Sequence, residues 1–456
     1  MAVDVHKTDE GARGLKGRLA VLAEPDFRRF FVGYTTSLLG SSMAPVAVAF
    51  AVLDTGGGGT DLGWVMAARI LPIVLVLLAG GLVADRLGSK RVMLATDLLR
   101  SCVQAVFAVL LIAGHSPVWA MAVLVAVWGV GEGFFLPALG ALVPHVVRRR
   151  GHLSDANTLL GLARSVSTVA GPAAAGIITA TWGPAVVLLA DAVSYAIGAA
   201  ALARLTVPRR PAGGEESLLA DLRQGWSEFR SRTWLWITTF HMGLFNLLVW
   251  APFLVLGPLT AQHRLGGARS WGLIMAAYGA GAVLGGLAML GRRPRRPLAV
   301  ATVATLGWAL PSASLAAGAA ITWTVLAALL AGVGAAVCDT LYTTTIQHQV
   351  PSDVLARVSS FGAVGAFVLG PAGLAAAGPI AAHAGTSWVL AAGALWQLAA
   401  GAVVLAIPAV RTMGLPRPPA ATAEVPPRPV PARTPKNSVG EPDGPSRKTA
   451  AGQEPR

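Results

Sequence analysis

Twelve apolar runs, each separated from the next by a short polar or small-residue stretch, fill most of the chain between residues 27 and 410. Each is long enough to cross a bilayer, which takes about 20 residues at about 1.5 Å of rise. In hydrocarbon only helices and closed barrels satisfy every backbone polar group, and uninterrupted apolar runs of this length read as helices. The composition agrees: mean hydropathy is +0.62. Charged residues make up 13% of the 456, against about a quarter in soluble domains. The expected fold class is an all-α polytopic membrane protein with twelve transmembrane helices.

The 36 Lys and Arg against 22 Asp and Glu give a formal charge of +14. Such an excess fits a nucleic-acid binder or a membrane protein with basic loops, and position decides between them. The bases collect in alternate connections: the N-terminal segment, Arg86 to Arg91, Arg148 to Arg150, the stretch between the sixth and seventh runs, Arg292 to Arg296, and the tail. Connections such as TGGGGTD and AGHSP have none. This alternation predicts a multi-pass protein of the cell membrane with both termini cytoplasmic, and it leaves no single basic face for nucleic acid. No apolar h-region with a cleavage site opens the chain, so the first span is expected to direct insertion.

The expected organisation is a cytoplasmic N-terminal segment (1–23), a six-helix bundle (24–206), a cytoplasmic linker (207–233), a second six-helix bundle (234–410) and a disordered tail (411–456). In the linker, Leu219, Leu222, Trp226 and Phe229 recur at helical spacing, which fits a helix on the inner membrane surface. The tail is rich in Pro and charge and cannot bury enough apolar area to offset its ordering entropy.

The two halves repeat. GGLVADRLGSKR at 80–91 returns in degraded form as GGLAMLGRRPRR at 285–296, between the second and third span of each half. Gly171-Pro172 in span five matches Gly370-Pro371 in span eleven, and Val143-Pro144 matches Val350-Pro351. The matches keep the same inside-outside sense. They suggest two bundles related by an axis along the membrane normal.

These motifs carry a resemblance. GGLVADRLGSKR resembles the loop-two signature of the major facilitator superfamily, with Gly81, Asp85, Arg86, Gly88 and Lys90 in their places. SVSTVAGPAAAG resembles the family's antiporter signature at Gly171, Pro172 and Gly176, with Ala175 in place of one glycine. PDFRRFFVGYTTSLLGSSMAPVAVAFAV, DAVSYAIGAA and VPSDVLARVSS look like the branch that exports drugs and siderophores, including macrolide efflux proteins and enterobactin exporters. The resemblance implies alternating-access transport around a cavity lined by spans one, four, seven and ten. It also implies a cytoplasmic latch at Asp85 and an antiporter-type kink at Gly171-Pro172. The basic residue that many proton-coupled exporters carry in span four is absent, and Glu132 lies there instead.

Charges inside spans cost at least a few kcal/mol at the bilayer centre unless paired or hydrated. The first half holds Arg69, Asp97, Arg100, Glu132, Arg164 and Asp191; counting along the helices puts Arg69 and Asp191 in the outer half and the others in the inner half. Asp97 and Arg100 share a helix face. Arg69, Arg100 and Arg164 read as an intramembrane charge network, with Arg164 or Arg100 the expected neighbour of Glu132. Glu132, Asp191, Asp97 and Asp339, in that order, are the proton-coupling candidates; a satisfied structural network is the alternative for Asp97, Arg100 and Arg164, and plain solvation near the inner end of span ten the alternative for Asp339. His241 reads as a hydrogen-bonded helix residue. Trp64, Trp128, Trp250, Phe134, Phe135 and Phe245 either line an apolar substrate cavity or pack the core. Cys102 and Cys338 read as small core residues. No phosphate loop, zinc-ligand set or nucleophile elbow is present, so no catalytic residue, metal or cofactor is expected. The sequence reads as a secondary transporter, a monomer, exporting a small amphipathic or hydrophobic compound against protons across the lipid bilayer. The alternatives are an importer or uniporter of the same fold, or an intramembrane sensor or enzyme.

Overall fold

A computed structural model of the chain describes residues 19–147, 149–206, 218–292, 294–351 and 354–414. The N-terminal segment before 19, most of the polar linker and the tail from 415 onward lie outside the described residues.

Six helices form the first half: α1 (Pro25–Asp54), α2 (Gly59–Leu87), α3 (Ser89–Ile112), α4 (Val118–Val146), α5 (Leu153–Trp182) and α6 (Pro184–Ala203). A short amphipathic helix, α7 (Leu218–Ser231), follows. The second half comprises α8 (Thr233–Leu265), α9 (Ala268–Met289), α10 (Pro297–Ala316), α11 (Ile321–Gln349), α12 (Leu355–Phe367 continued by Gly370–Ala384) and α13 (Thr386–Ala406). Eleven of these helices have both the length and the apolarity to cross a membrane. α5 is the twelfth by length, 30 residues. Its interior SVSTVAGPAAAG lowers its hydropathy because its hydroxyls and glycines serve close packing. Tight turns let successive helices reverse; Gly88 (φ 88°) and Gly183 (φ 86°) each sit between two helices in a conformation that disfavours other residues.

Two six-helix bundles result, packed alike. α2 lies along α4, α1 along α5 and α6, and α3 along α4 and α6. In the second half α9 lies along α11, α8 along α12, and α10 along α11 and α13. The halves meet where α5 packs on α9 and α2 on α12. Counted as spans, these are five with eight and two with eleven, so shifting either pair by half the chain yields the other. The sequence repeat is therefore also a repeat of packing.

These seams are made of glycine. A Cβ on Gly272 would stand 2.5 Å from the Pro172 carbonyl and 2.7 Å from Gly176 Cα, and one on Gly279 2.5 Å from the Thr168 carbonyl. Gly63 likewise faces the Leu374 carbonyl, and Gly378 the backbone of Gly59. In lipid, helices gain little from hiding apolar surface, and close backbone approach at small residues supplies the attraction. Proline cannot bond the carbonyl four residues back, so Pro172 frees that of Thr168, which lies on Gly279.

α5 runs unbroken through Gly171-Pro172. The interruption falls in its counterpart, at residues 368–369, directly before Gly370-Pro371. Gly171 is instead pressed against Ser42 of α1. α7 docks on the second half: Trp226 stacks on Phe229 at 5.7 Å, and both rings meet Phe361 of α12. Cys338 is buried as expected, but Cys102 is exposed. The network-forming face of α3 carries Asp97, Arg100 and Gln104, and Cys102 falls between them in number but on the other side of the helix.

Candidate functional site

The first half holds a continuous polar ribbon. α2 and α4 run in the same direction in a fixed register, with Gly129 against the Arg69 carbonyl and Gly133 against Ile73. Glu132 is thus about one turn, ~4.5 Å, from the level of Arg69, which a guanidinium arm easily spans. Arg69 donates to Glu132 Oε2 from Nε at 3.2 Å and from Nη2 at 2.8 Å. The Arg69 guanidinium lies 4.0 Å above the Trp128 ring, whose Nε1 donates to the Tyr195 hydroxyl at 3.0 Å. Tyr195 and Phe135 then enclose Arg100, 4.3 and 4.2 Å from their ring centroids. Arg100 is ion-paired with Asp97. Next to it Asp191 accepts from Gln104 at 2.7 Å and from the Ser194 hydroxyl at 3.3 Å.

Exposure divides the ribbon. The side chains of Arg69 and Glu132 are 20% and 25% exposed, those of Arg100 and Asp97 only 5% and 2%. A buried pair that loses one partner leaves an uncompensated charge, at a cost of about 3–5 kcal/mol. Asp97–Arg100 is therefore sealed inside the bundle, whereas Arg69–Glu132 keeps part of its surface exposed. Glycines make room for the sealed part: Gly131 takes the aliphatic stem of Arg100, Gly198 the carboxylate of Asp97, and Gly40 that of Asp191.

Several expectations change here. The neighbour of Glu132 is Arg69, not Arg100 or Arg164, because the α2/α4 register brings residues counted into opposite membrane halves to nearly one level. Arg164 donates to the Tyr34 hydroxyl at 3.5 Å. Gln104, Trp128 and Tyr195 were not singled out as members of the network. Gln104 continues the Asp97–Arg100 face at helical spacing, a signal the sequence does contain.

At the helix ends, Gly88 separates α2 from α3, and Lys90 reaches across to donate to the carbonyls of Ala203 and Leu205 at 3.1 and 2.7 Å. An ammonium there satisfies the last carbonyls of α6 and complements its dipole. Arg86 is exposed. Gly81 and Asp85 fall in a stretch of α2 whose side chains lie outside the described residues, and Arg357 does likewise at the start of α12.

The second half encloses a cavity of about 590 Å³. α8 opens it by widening into a π-turn at Asn246–Trp250, a local departure that recurs at functional sites. The turn is held by Asn246, whose amide donates to the carbonyls of Met242 and Ala366, each at 3.1 Å. Aromatic rings form one wall: Trp308 on Phe245 at 3.9 Å, and Trp250 on Tyr278 at 5.1 Å. Trp308 is fixed by its Nε1 bond to the Ala331 carbonyl at 3.0 Å. Tyr342 and Thr239 share a hydrogen bond at 3.2 Å. Asp339 and His241 also line the cavity. The His241 ring stacks on Trp396 at 5.6 Å, but its Nε2 is buried without a partner, contrary to the expected hydrogen-bonded histidine. Of the aromatics picked out in the sequence, Phe245 and Trp250 line this cavity, Trp128 and Phe135 belong to the ribbon, and Trp64 is exposed.

Two like-packed helical bundles, with ionisable groups held inside and a cavity in the second half, are the architecture of a membrane transporter. The chain belongs to the Major Facilitator Superfamily, whose family profile matches residues 30–374. Among relatives, macrolide efflux protein A of Streptococcus pyogenes is 22% identical over 356 residues, covering 76% of this chain and 87% of that protein. Multidrug efflux pump Tap of Mycolicibacterium fortuitum is 27% identical over 352 residues, covering 74% and 85%. Among solved structures, a mutant form of the nucleoside transporter NupG superposes with a TM-score of 0.69 at 15% identity, covering 84% of this chain and 99% of that one. The peptide transporter POT in complex with sulfate gives 0.66 at 15%, covering 88% and 97%.

Proposed function

We propose that this transporter exports a small amphipathic or hydrophobic compound from the cell against entering protons, with both termini cytoplasmic and the chain in the plasma membrane. The basic loops support the orientation. The names of the relatives support drug efflux as the direction and class of transport. The observation that carries the alternating-access reading is the placing of the glycine seams. Gly63, Gly378, Gly176 and Gly272 close the halves toward the end of the bundles away from the chain termini, where Gln262 also donates to Asp54 at 3.5 Å. At the other end, among the described residues, Gly140 and Gly161 meet nothing within 4 Å. This placing supports the reading of a transporter closed outward and open inward.

Glu132 is the coupling residue in this reading. Protonating it releases Arg69, and the two ends of the cycle differ in whether the pair is closed. Asp85 keeps its proposed role as a cytoplasmic latch, on the resemblance of its loop. The test is uphill export from proteoliposomes under an imposed pH gradient. Wild-type protein should accumulate a lipophilic drug on the acidic side, and Glu132→Gln should bind the drug but fail to move it uphill. Uphill export by Glu132→Gln would assign coupling elsewhere, with Asp191, Asp97 and Asp339 next in order.

A further inference from the structure

The two halves carry different charges in their interiors. The ribbon of the first half contains Arg69 and Arg100, each facing an aromatic ring. The cavity of the second half is lined by one carboxylate, Asp339, and among the described residues by no Lys or Arg. Asp339 is exposed to the cavity, and no described base pairs with it. Asp339 lies toward the C-terminal end of α11, where water can hydrate it and an entering cation can displace that water.

The surroundings of Asp339 suit an organic cation. Four rings, Phe245, Trp250, Tyr278 and Trp308, form a continuous wall of the same cavity. Aromatic faces are negative and attract positive charge that has shed its water. A cavity of about 590 Å³ falls in the usual range for drug-sized ligands, about 300–1,000 Å³. Of the other polar groups in the lining, Thr239, Asn246 and Thr302 are neutral and bonded to neighbouring carbonyls or hydroxyls, and His241 presents one buried ring nitrogen, Nε2, without a partner.

We infer that this cavity is a binding site for lipophilic organic cations, with Asp339 as counter-ion and the Phe245–Trp250–Tyr278–Trp308 wall as the surface on which the apolar body lies. It deepens the export reading by naming the class of compound, and it rests on that reading only in calling the ligand a substrate.

The experiment uses two probes of nearly the same size and shape and opposite charge. Purified full-length protein in detergent is titrated with tetraphenylphosphonium by equilibrium dialysis, with tetraphenylborate as competitor. Saturable binding of the cation is expected, with no competition from the anion. Asp339→Asn, which keeps the side-chain shape, should weaken cation binding by about tenfold or more, as expected for losing a desolvated charge contact. Equal binding of the two ions by wild-type protein, which needs no variant, would overturn the assignment, as would unchanged affinity in a well-folded Asp339→Asn. Export is scored separately in proteoliposomes. Charge-selective, Asp339-dependent binding without uphill efflux leaves the site standing and removes the export reading; efflux of a neutral drug without cation binding does the reverse.

Discussion

Arg69 and Glu132, 63 positions apart, meet through two hydrogen bonds to a single carboxylate oxygen, at 3.2 and 2.8 Å. The pair is neither sealed nor free: about a quarter of the Glu132 side chain remains exposed, and the arginine is braced from behind by Trp128. A charge pair that can open at little cost suits a transport cycle, where a fully buried one does not.

Arg69→Ala should leave Glu132 without its counter-ion and uncouple export from the pH gradient while cation binding in the other half is retained. The check is counterflow in proteoliposomes, which needs no gradient and should continue. Loss of counterflow together with uphill export would show that Arg69 serves binding or folding.

Arg100→Ala should behave differently. It strands Asp97 in a site where the acid is 2% exposed, and the expected loss of stability is about 3–5 kcal/mol. Thermal unfolding in detergent should show it, and Asp97→Asn in the same chain should recover part of it. Equal melting of Arg100→Ala and wild type would mean that the pair contributes nothing net.

The seam between α5 and α9 gives a conformational prediction. A side chain on Gly272 collides with the Pro172 carbonyl and Gly176, so Gly272→Leu should hold the outward end apart. Labelling of a cysteine introduced at Thr179, on the outer part of α5, should rise with an impermeant maleimide, while transport falls. Labelling unchanged from the glycine parent would place the gate elsewhere.

Lys90 caps α6, and in the proposed orientation its charge also faces the cytoplasm. Lys90→Met should therefore lower stability by about 1–2 kcal/mol through two lost charge-assisted bonds, without altering topology. A reporter active only in the cytoplasm, fused after Arg411, should stay active in the variant and in wild type. Silence of that fusion in wild type would reverse the proposed orientation.

The span count, the repeat and the all-helical class were legible because hydropathy over about 20 residues and the placing of bases are properties of the chain alone. So was Asp97–Arg100, since partners three apart on a helix meet whatever surrounds them. Gln104 on the same face was legible in principle and overlooked.

What only the tertiary structure decided is which faces meet. A helix apolar all round has no amphipathic stripe to announce its inward side, and lipid does not favour one apolar face over another. The Arg69–Glu132 pair depends on the α2/α4 register set by Gly129 and Gly133, and the seam on a Gly176–Gly272 crossing between the halves. The cavity gathers His241, Tyr278, Trp308 and Asp339 from four helices. Glycine frequency shows that close approaches exist, but the partner of each is chosen by backbone contact across helices. For that reason the transporter scaffold was legible in the sequence, and the contacts of its charged and aromatic residues were decided by three-dimensional packing.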